Sequence, residues 1–191
     1  MAVRKICIWP DPALSEIAKP VEKVDDSIAE LVQDLFDTMY EAHGVGLAAT
    51  QIAVAQQVLV IDLDPSGEAV HDEDYATQLK EWGFKGPQAF VNPEIVTCSG
   101  SIFWEEGCLS VPGISEKVKR SDTITVKAQN EKGEDFELSV SGLYAVAIQH
   151  EMDHLVGKVF VEYLSKLKRD VVKRKMLKLK TQTDDGVAAA L

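Results

Sequence analysis

The sequence predicts a single domain of the α+β class, and three observations support this prediction. Apolar residues recur at helical spacing in a few well-separated segments. Several segments rich in β-branched and apolar residues follow one another with few helices between them, and no regular β-α-β-α alternation is found. The length of 191 residues, of which 46% are hydrophobic and 27% charged, suits one globular domain with a substantial core.

The first predicted element is a helix over residues 28–43. Its apolar residues recur every three or four positions, at Ile28, Leu31, Val32, Leu35, Phe36 and Met39. Ser27 and Glu30 have the spacing of a capping box, which predicts that Ser27 caps the start of the helix. Gly44 is the residue expected to end it.

Four strands are predicted after this helix. Residues 57–63 (QVLVIDL) are apolar and β-branched, and residues 89–97 also have the composition of a strand. Residues 123–128 alternate between apolar and polar side chains, and residues 136–140 follow a turn predicted at 130–133. These segments form the run of strands on which the α+β prediction depends.

Residues 64–88 differ in composition from the strands on either side. They contain six acidic residues and two lysines, together with glycines and prolines. We predict an acidic surface insertion, a long polar loop with one short helical turn around residues 75–82.

Two further helices are predicted near the C terminus. One runs from about Ser141 to Leu155, with Gly157 as its stop. The other is a basic helix over residues 166–180, which contain eight basic residues and one acidic residue. We expect residues 1–165 to form one domain and residues 181–191 to be a disordered tail.

Composition also bears on where the protein works. No apolar run approaches the roughly 20 residues that a membrane helix needs, and Pro10 and Pro12 interrupt an N-terminal segment that has no secretory character. The odd number of cysteines, at positions 7, 98 and 108, favours reduced thiols. We therefore expect a cytoplasmic protein. The net charge of −11 argues against broad phosphate binding, and the basic helix is either a solvated face or a local contact for RNA or another anionic surface.

The predicted helix at 141–155 contains an H-E-x-x-H pattern. Side chains four residues apart project from one helix face with Cβ atoms about 5–6 Å apart, so His150 and His154 can bind one divalent transition metal. Glu151 points about 100° away from His150 and can reach a water molecule on that metal without being a ligand. The alternative is a solvated helix end that happens to carry these residues. The apolar stretch at 144–148 argues against it, because buried His and Glu side chains require partners.

A hydrolytic metal site needs a third protein ligand and an open fourth position. The longer protease pattern would place a third histidine where this chain has Phe160, and the only glutamate after His154 is Glu162, in a segment expected to be extended. Cys108 is therefore the best third ligand. Gly107 allows close backbone approach beside it, and a thiolate with two imidazoles makes a sound tetrahedral site.

Three motifs, in this order, resemble the peptide deformylase family: GVGLAATQ at 44–51, EGCLS at 106–110 and QHEMDH at 149–154. Together they are very specific, and the likeness extends from Pro10 to the C-terminal helix. The resemblance implies an α+β fold with small, mainly antiparallel sheets around a central metal-binding helix, followed by a C-terminal helix. Residues 1–165 would then be the catalytic domain.

The activity implied by the resemblance is removal of the N-formyl group from the N-terminal methionine of newly synthesised polypeptides, with release of formate. The cofactor implied is one divalent metal ion, typically Fe²⁺, with Zn²⁺ or Ni²⁺ as substitutes. The ligands carried over are Cys108, His150 and His154, and the general base is Glu151. A bound metal lowers the pKa of a water molecule to about 7, and Glu151 would carry its proton to the departing amine.

Further roles are also implied by the resemblance. The side-chain amide of Gln51 and the backbone N–H of Leu109 would donate to the oxyanion. The substrate backbone would bind as an added strand, and its methionine would enter an apolar pocket one or two helical turns before His150. The substrate-binding residues expected from this are Gly44, Val45, Gly46, Gly107, Leu143, Val146 and Ala147.

Two features depart from the family's pattern. Residues 113–116 lack the basic residue that relatives often carry nearby to hold the substrate backbone. The acidic insertion at 64–88 is longer than in the compact bacterial forms. The partners implied are N-formylmethionyl nascent peptides, with ribosome contact through the basic helix and no membrane.

Two other functions compete with this interpretation. A protease that cleaves internal peptide bonds would share the metal helix, but its usual third ligand is missing. A non-enzymatic metal-binding or ribosome-associated module would share the fold, but it would not require Glu151 and Gln51, which are both present.

Overall fold

The computed structural model describes residues 2–184. Its α-helices are α1 (Asp26–Glu41), α2 (Glu73–Glu81), α3 (Gly142–Leu155) and α4 (Lys166–Asp184). Its strands are β1 (Gly46–Ala48), β2 (Val58–Ile61), β3 (Gln88–Ser99), β4 (Ile102–Gly107), β5 (Ser115–Arg120), β6 (Thr123–Gln129) and β7 (Asp135–Ser141).

The strands form two antiparallel sheets. One has five strands in the order β1-β2-β3-β6-β7, and the other is the two-stranded hairpin of β4 and β5. Each strand pair in these sheets is antiparallel. The predicted α+β class, with small antiparallel sheets and a C-terminal helix, is confirmed. The sequence prediction missed β1, β4 and β5, which are short or carry many polar residues.

Strand β2 lies between two helices, which explains its continuous apolar sequence. Val58 and Val60 belong to the apolar cluster that includes α1, and Leu59 and Ile61 belong to the cluster that includes α3. All four side chains are fully buried. Because successive strand residues point to opposite faces, a strand that is covered on both faces is apolar at every position. Helix α3 is thereby held at the centre of the molecule.

Both ends of α1 differ from the prediction. Asp25 is the capping residue, and its Oδ1 accepts the backbone N–H of Ser27 at 3.0 Å. The helix therefore begins at Asp26, because the Asp25 carboxylate reaches the donors of the first turn before Ser27 can cap them. At the C-terminal end the left-handed residue is His43, with φ of 55°. Gly44 follows it and donates its N–H to the Met39 carbonyl at 2.9 Å.

The acidic segment at 64–88 is more ordered than a polar loop. Its helix α2 is nine residues long and is capped by Asp72, whose side chain accepts the backbone N–H of Tyr75. Leu79 and Phe84 are buried in the cluster that includes α3. These two apolar anchors fold the segment onto the body, and its acidic side chains remain on the outside.

Helix α4 continues beyond the predicted end at residue 180, to Asp184. The first four residues of the predicted disordered tail are therefore helical, and residues 185–191 lie outside the described part of the chain. Val172 and Met176 are buried against the body, so α4 is part of the same core. Among residues 2–184, no helix has the length and apolar character needed to cross a membrane.

Candidate metal centre

Helix α3 carries His150, Glu151 and His154, and all three are buried. The helix begins at Gly142, which has φ of 54° and lies so close to Trp82 that an added Cβ would overlap the indole ring. This contact fixes where the helix starts and therefore which residues face inward. The helix predicted from about Ser141 to Leu155 is confirmed, and its apolar stretch at 144–148 is buried.

Cys108 follows β4 and meets the two histidines. Its Sγ lies 3.3 Å from Nε2 of His154. The metal-ligating atoms of Cys108, His150 and His154 all lie within 4.8 Å of one another. The two imidazole rings are 5.1 Å apart between centroids and nearly perpendicular, as expected for residues four apart on a helix.

This group fits a transition-metal ion on chemical grounds. One thiolate and two imidazoles are ligands that suit zinc and iron. Within residues 2–184, the buried side-chain atoms without a hydrogen-bond partner are Oε2 of Glu151 and Nδ1 of His154. Burying an unpaired polar atom is unfavourable. The Oε2 atom belongs to Glu151, beside the three ligands, and the His154 atom that faces Cys108 is Nε2 rather than the unpaired Nδ1. The site is therefore built around a further polar partner.

The environments of the two histidines differ. Burial lowers the pKa of His150, but hydrogen bonds with Cys108 and Glu106 outweigh it and hold this pKa well above its usual range. Burial and the neighbouring His150 hold the pKa of His154 well below its usual range. Nδ1 of His150 lies 2.8 Å from Oε2 of Glu106. This contact leaves the other ring nitrogen of His150 to face Cys108.

Glu106 is part of a buried charge network behind His150. Arg120 donates from Nε to Oε1 of Glu106 at 2.7 Å and from Nη2 to Oε2 at 2.9 Å. Its Nη1 donates to Asp153 at 2.5 Å, and the Tyr163 hydroxyl donates to the same Asp153 oxygen at 2.9 Å. Burial raises the pKa of Glu106, but the bonds from Arg120 and His150 outweigh it and lower this pKa overall. Glu106 is therefore an ionised acceptor that orients His150.

Glu151 lies against the backbone of β1. Burial is the main cause that raises the pKa of Glu151 to about 7. The close approach requires Gly46, because an added Cβ there would lie 2.6 Å from Oε1 of Glu151. The glycine of the first motif and the glutamate of the third are thus in direct contact, although 105 residues separate them.

Gln51 is held in one orientation by the backbone beside it. Its Oε1 accepts the N–H of Ala48 at 2.8 Å. Its Nε2 therefore points to the other side, where it lies 3.2 Å from Oγ of Ser110 and 3.7 Å from Sγ of Cys108. The amide donor is directed at the metal-ligating group.

A cleft of about 1140 Å³ opens beside these residues. Glu151, Gln51, Leu109, Cys108 and His150 are among the residues that line it. The seven residues predicted to bind substrate also line it: Gly44, Val45, Gly46, Gly107, Leu143, Val146 and Ala147. The structure thus brings together residues that the sequence places in three separate segments, at 44–51, 107–109 and 143–151.

Sequence reasoning gave no role to several residues around this cleft. In the sequence Glu106 stands only as the first residue of the EGCLS motif, and Arg120 belongs to none of the three motifs. The alternation along β5 could have indicated Arg120, because it places Arg120 on the same inward face as Val118. His43 and residues 112–115 also line the cleft, and no pattern in the sequence pointed to them as a wall.

An α+β fold with a Cys–His–His group, next to a buried glutamate on an H-E-x-x-H helix, defines the class of metal-dependent amide hydrolases. The family model described as polypeptide deformylase matches residues 3–170. The chain belongs to the peptide deformylase family. It is an enzyme, a hydrolase that removes the N-formyl group from the N-terminal methionine of polypeptides.

Similar proteins match over nearly the whole chain. Peptide deformylase 1 of Burkholderia multivorans is 51% identical over 94% of this chain and 90% of its own length. The peptide deformylase of Neisseria gonorrhoeae is 47% identical over 96% of this chain and 99% of its own length.

Solved structures give the same result. The crystal structure of a peptide deformylase from Legionella pneumophila has a TM-score of 0.82 at 45% identity, covering 96% of this chain and 98% of that one. The peptide deformylase from Ehrlichia chaffeensis, solved in complex with actinonin, has a TM-score of 0.84 at 38% identity, covering 94% and 98%.

Proposed function

We propose that Cys108, His150 and His154 bind the single divalent metal of this deformylase, and that Glu151 moves the proton during hydrolysis. The observation that supports this most directly is the convergence of the three ligand atoms within 4.8 Å, beside a buried glutamate oxygen with no partner in the described chain. Residues 1–165 form the catalytic domain in this proposal.

The physiological metal in this proposal is Fe²⁺, and Zn²⁺ or Ni²⁺ can replace it. Imidazole suits all three ions, and thiolate suits iron and zinc sites in particular. When bound, such an ion polarises the formyl carbonyl and lowers the pKa of a water molecule to about 7. The ionised Glu106 supports this binding by holding Nδ1 of His150.

Glu151 is suited to proton transfer. A general base must lie within reach of the proton that it moves. The Glu151 carboxylate lines the cleft beside the three ligands, and its buried Oε2 has no partner among the described residues. We propose that its carboxylate takes a proton from the attacking water and delivers it to the amine of the departing methionine. Contact with Gly46 limits the positions that this carboxylate can occupy.

Gln51 and Leu109 supply the donors for the oxyanion in this proposal. The bond from Ala48 to Oε1 of Gln51 directs the Gln51 amide at the cleft, so no reorientation is needed during the reaction. The backbone N–H of Leu109 is the second donor, and it follows the ligand Cys108 directly in the chain.

The substrate lies along β1 in this proposal. Strand β1 is at the edge of the five-stranded sheet, and it lines the cleft through Gly46. An extended peptide can add to such an edge through backbone hydrogen bonds. Val45, Gly44 and Gly107 also line the cleft beside the bound peptide. In this proposal the methionine side chain packs against the apolar wall formed by Leu143, Val146 and Ala147.

The test is formate release from formyl-Met-Ala-Ser by protein purified without oxygen, together with metal analysis. We expect formate in proportion to bound Fe²⁺, one ion per chain, and loss of both in Cys108→Ala. Formate release by chain that binds no metal, or full metal content in Cys108→Ala, would contradict the proposal. An unformylated peptide with cleavable internal bonds should remain intact.

We also propose that the enzyme acts in the cytoplasm on nascent chains and that α4 contacts the ribosome. Lys166, Lys173 and Arg174 are exposed on α4. Lys173 and Arg174 are adjacent and lie about two helical turns after Lys166, on the same side of the helix. Ribosome binding should weaken steeply with salt. Replacing these three residues with alanine should reduce co-sedimentation with ribosomes and leave formate release intact. Unchanged co-sedimentation would exclude this contact.

A further inference from the structure

One wall of the cleft is a loop without regular secondary structure. We call residues 108–114 the wall loop; they connect β4 to β5. Its first residues include Cys108 and Leu109, and its later residues Pro112, Gly113 and Ile114 line the cleft. Gly113 has φ of 67°, a conformation that turns the chain back toward β5. The position of this wall therefore depends on what packs behind it.

Helix α4 packs behind the wall loop. Nζ of Lys175 donates to the carbonyl of Gly113 at 3.0 Å. Nζ of Lys168 donates to Oε2 of Glu116, just beyond the loop, at 2.6 Å. Lys168 and Lys175 are seven residues apart, so they lie on the same face of α4. Two basic residues thus contact the loop and its continuation from one side.

Apolar contacts come from the same face of α4. Val172 and Met176 are buried in a cluster that also contains Val111, with Ile114 and Cys108 packed against it. One helix face therefore contacts the wall loop in two ways, through the apolar cluster that includes Val111 and Ile114 and through the bond from Lys175 to Gly113. Because the apolar contacts lie deeper, Lys175 is the contact that can be removed without opening the core.

We propose that Lys175 is a positioning residue for substrate binding. It holds the wall loop in place and thereby keeps the cleft at the width that the residues after the formylmethionine require. The identity of that substrate rests on the proposed function. Loss of the ammonium group frees the Gly113 carbonyl and lets Pro112 and Gly113 move, while Cys108 and Ile114 stay fixed by their apolar neighbours. The effect falls on KM for peptides long enough to reach Gly113 and spares kcat.

The experiment compares Lys175→Met, Lys175→Arg and Lys173→Met in the full-length, metal-loaded protein. Lys175 is exposed, so methionine keeps the stem of the side chain and removes only the donor. Lys173 is equally exposed and lies on the opposite side of α4, which makes it a matched control. The substrates are formyl-Met-Ala-Ser and the shorter formyl-Met-methylamide.

For Lys175→Met we expect KM for formyl-Met-Ala-Ser to rise about threefold to tenfold, the effect of losing one hydrogen bond. We expect kcat and the KM for formyl-Met-methylamide to stay near wild type, Lys175→Arg to restore the tripeptide KM, and Lys173→Met to change nothing. An unchanged tripeptide KM, an equal rise for both substrates, or a fall in kcat alone would overturn the proposal.

A second measurement does not depend on activity. Amide hydrogen exchange at residues 113–115 should become faster in Lys175→Met than in wild type and in Lys173→Met, because the loop has lost its support. Equal exchange in all three proteins would overturn the proposal even if formate release is normal. Absence of formate release by the wild type would instead contradict the proposed function.

Discussion

The Cα atom of Gly46 lies directly against the carboxylate of Glu151, so that an added Cβ would come within 2.6 Å of Oε1 and 3.0 Å of Cγ. The backbone of Gly46 is held in β1, so the Glu151 side chain is the part that must move. We expect Gly46→Ala to displace Glu151 from its working position. Formate release should fall about 100-fold or more, the usual contribution of a positioned acid–base group.

Metal content and thermal unfolding distinguish this effect from general damage to the fold. The three atoms nearest to the added Cβ all belong to Glu151, so Gly46→Ala should still bind one metal ion per chain. A variant that keeps wild-type formate release would show that the contact with Glu151 has no functional consequence.

Replacing Glu151 itself tests the proton-transfer role. Glu151→Gln keeps the shape of the side chain and removes its ability to accept a proton. We expect formate release to fall by about 10²–10⁴-fold with the metal retained. The matched control is Glu162→Gln, at an exposed acid four positions before the start of α4 at Lys166. Full activity in Glu151→Gln would mean that another group moves the proton.

Glu106 connects the metal-ligating group to a buried ion pair. Glu106→Gln removes one carboxylate from Arg120, which stays buried, and weakens the hold on His150. Breaking a buried pair by removing one partner typically costs about 3–5 kcal/mol, and loss of a ligand's orienting partner lowers metal affinity by about 10–100-fold. Urea unfolding of metal-free protein and competition with a chelator measure the two effects separately.

The surface offers a control for this prediction. Lys127 and Glu137 form an ion pair at 3.3 Å in which both side chains are more than half exposed. Solvent screens such a pair, so Glu137→Gln should change the free energy of unfolding by less than about 1 kcal/mol and leave metal affinity unchanged. Equal effects of the two substitutions would refute the importance of the buried network.

Gln51 is predicted to act on the transition state. Gln51→Glu keeps the oxygen that accepts the Ala48 N–H and replaces the amide donor with a second oxygen. We expect kcat to fall by about 10²–10³-fold, the usual cost of losing an oxyanion donor. Gln57→Glu, at a partly buried amide that donates to Ala18, is the control. A rise in KM with normal kcat would assign Gln51 to substrate binding instead.

Sequence patterns predicted the parts of the site that depend on local spacing. The interval between His150 and His154 is one helical turn, so helix geometry alone places both imidazoles on one face. The third histidine of the longer protease pattern is absent, because position 160 is Phe160, and Glu162 was expected in an extended segment. These two exclusions, together with Gly107 beside Cys108, then indicated Cys108 as the third ligand. Local rules failed at the start of α1, where Asp25 and Ser27 compete to cap the same donors and only the folded backbone decides between them.

Residues that act through distant partners were not predictable in this way. Arg120 is an ordinary strand residue in sequence, and its role depends on meeting Glu106 and Asp153 across two other elements. Leu79 and Phe84 lie in an acidic segment that suggests a loop, yet both are buried because the sheet and α3 offer them an apolar surface.

The metal-dependent hydrolytic chemistry could be predicted from the sequence, because H-E-x-x-H on a helix and the cysteine motif each carry it in a few adjacent residues, and the family resemblance implied the rest. The tertiary structure decided how that chemistry is supported: the carboxylate behind His150, the glycine against Glu151, and the wall loop held by α4 through Lys175. The physical reason is that chain spacing sets distances only within an element. Contacts between elements form only when the core packs.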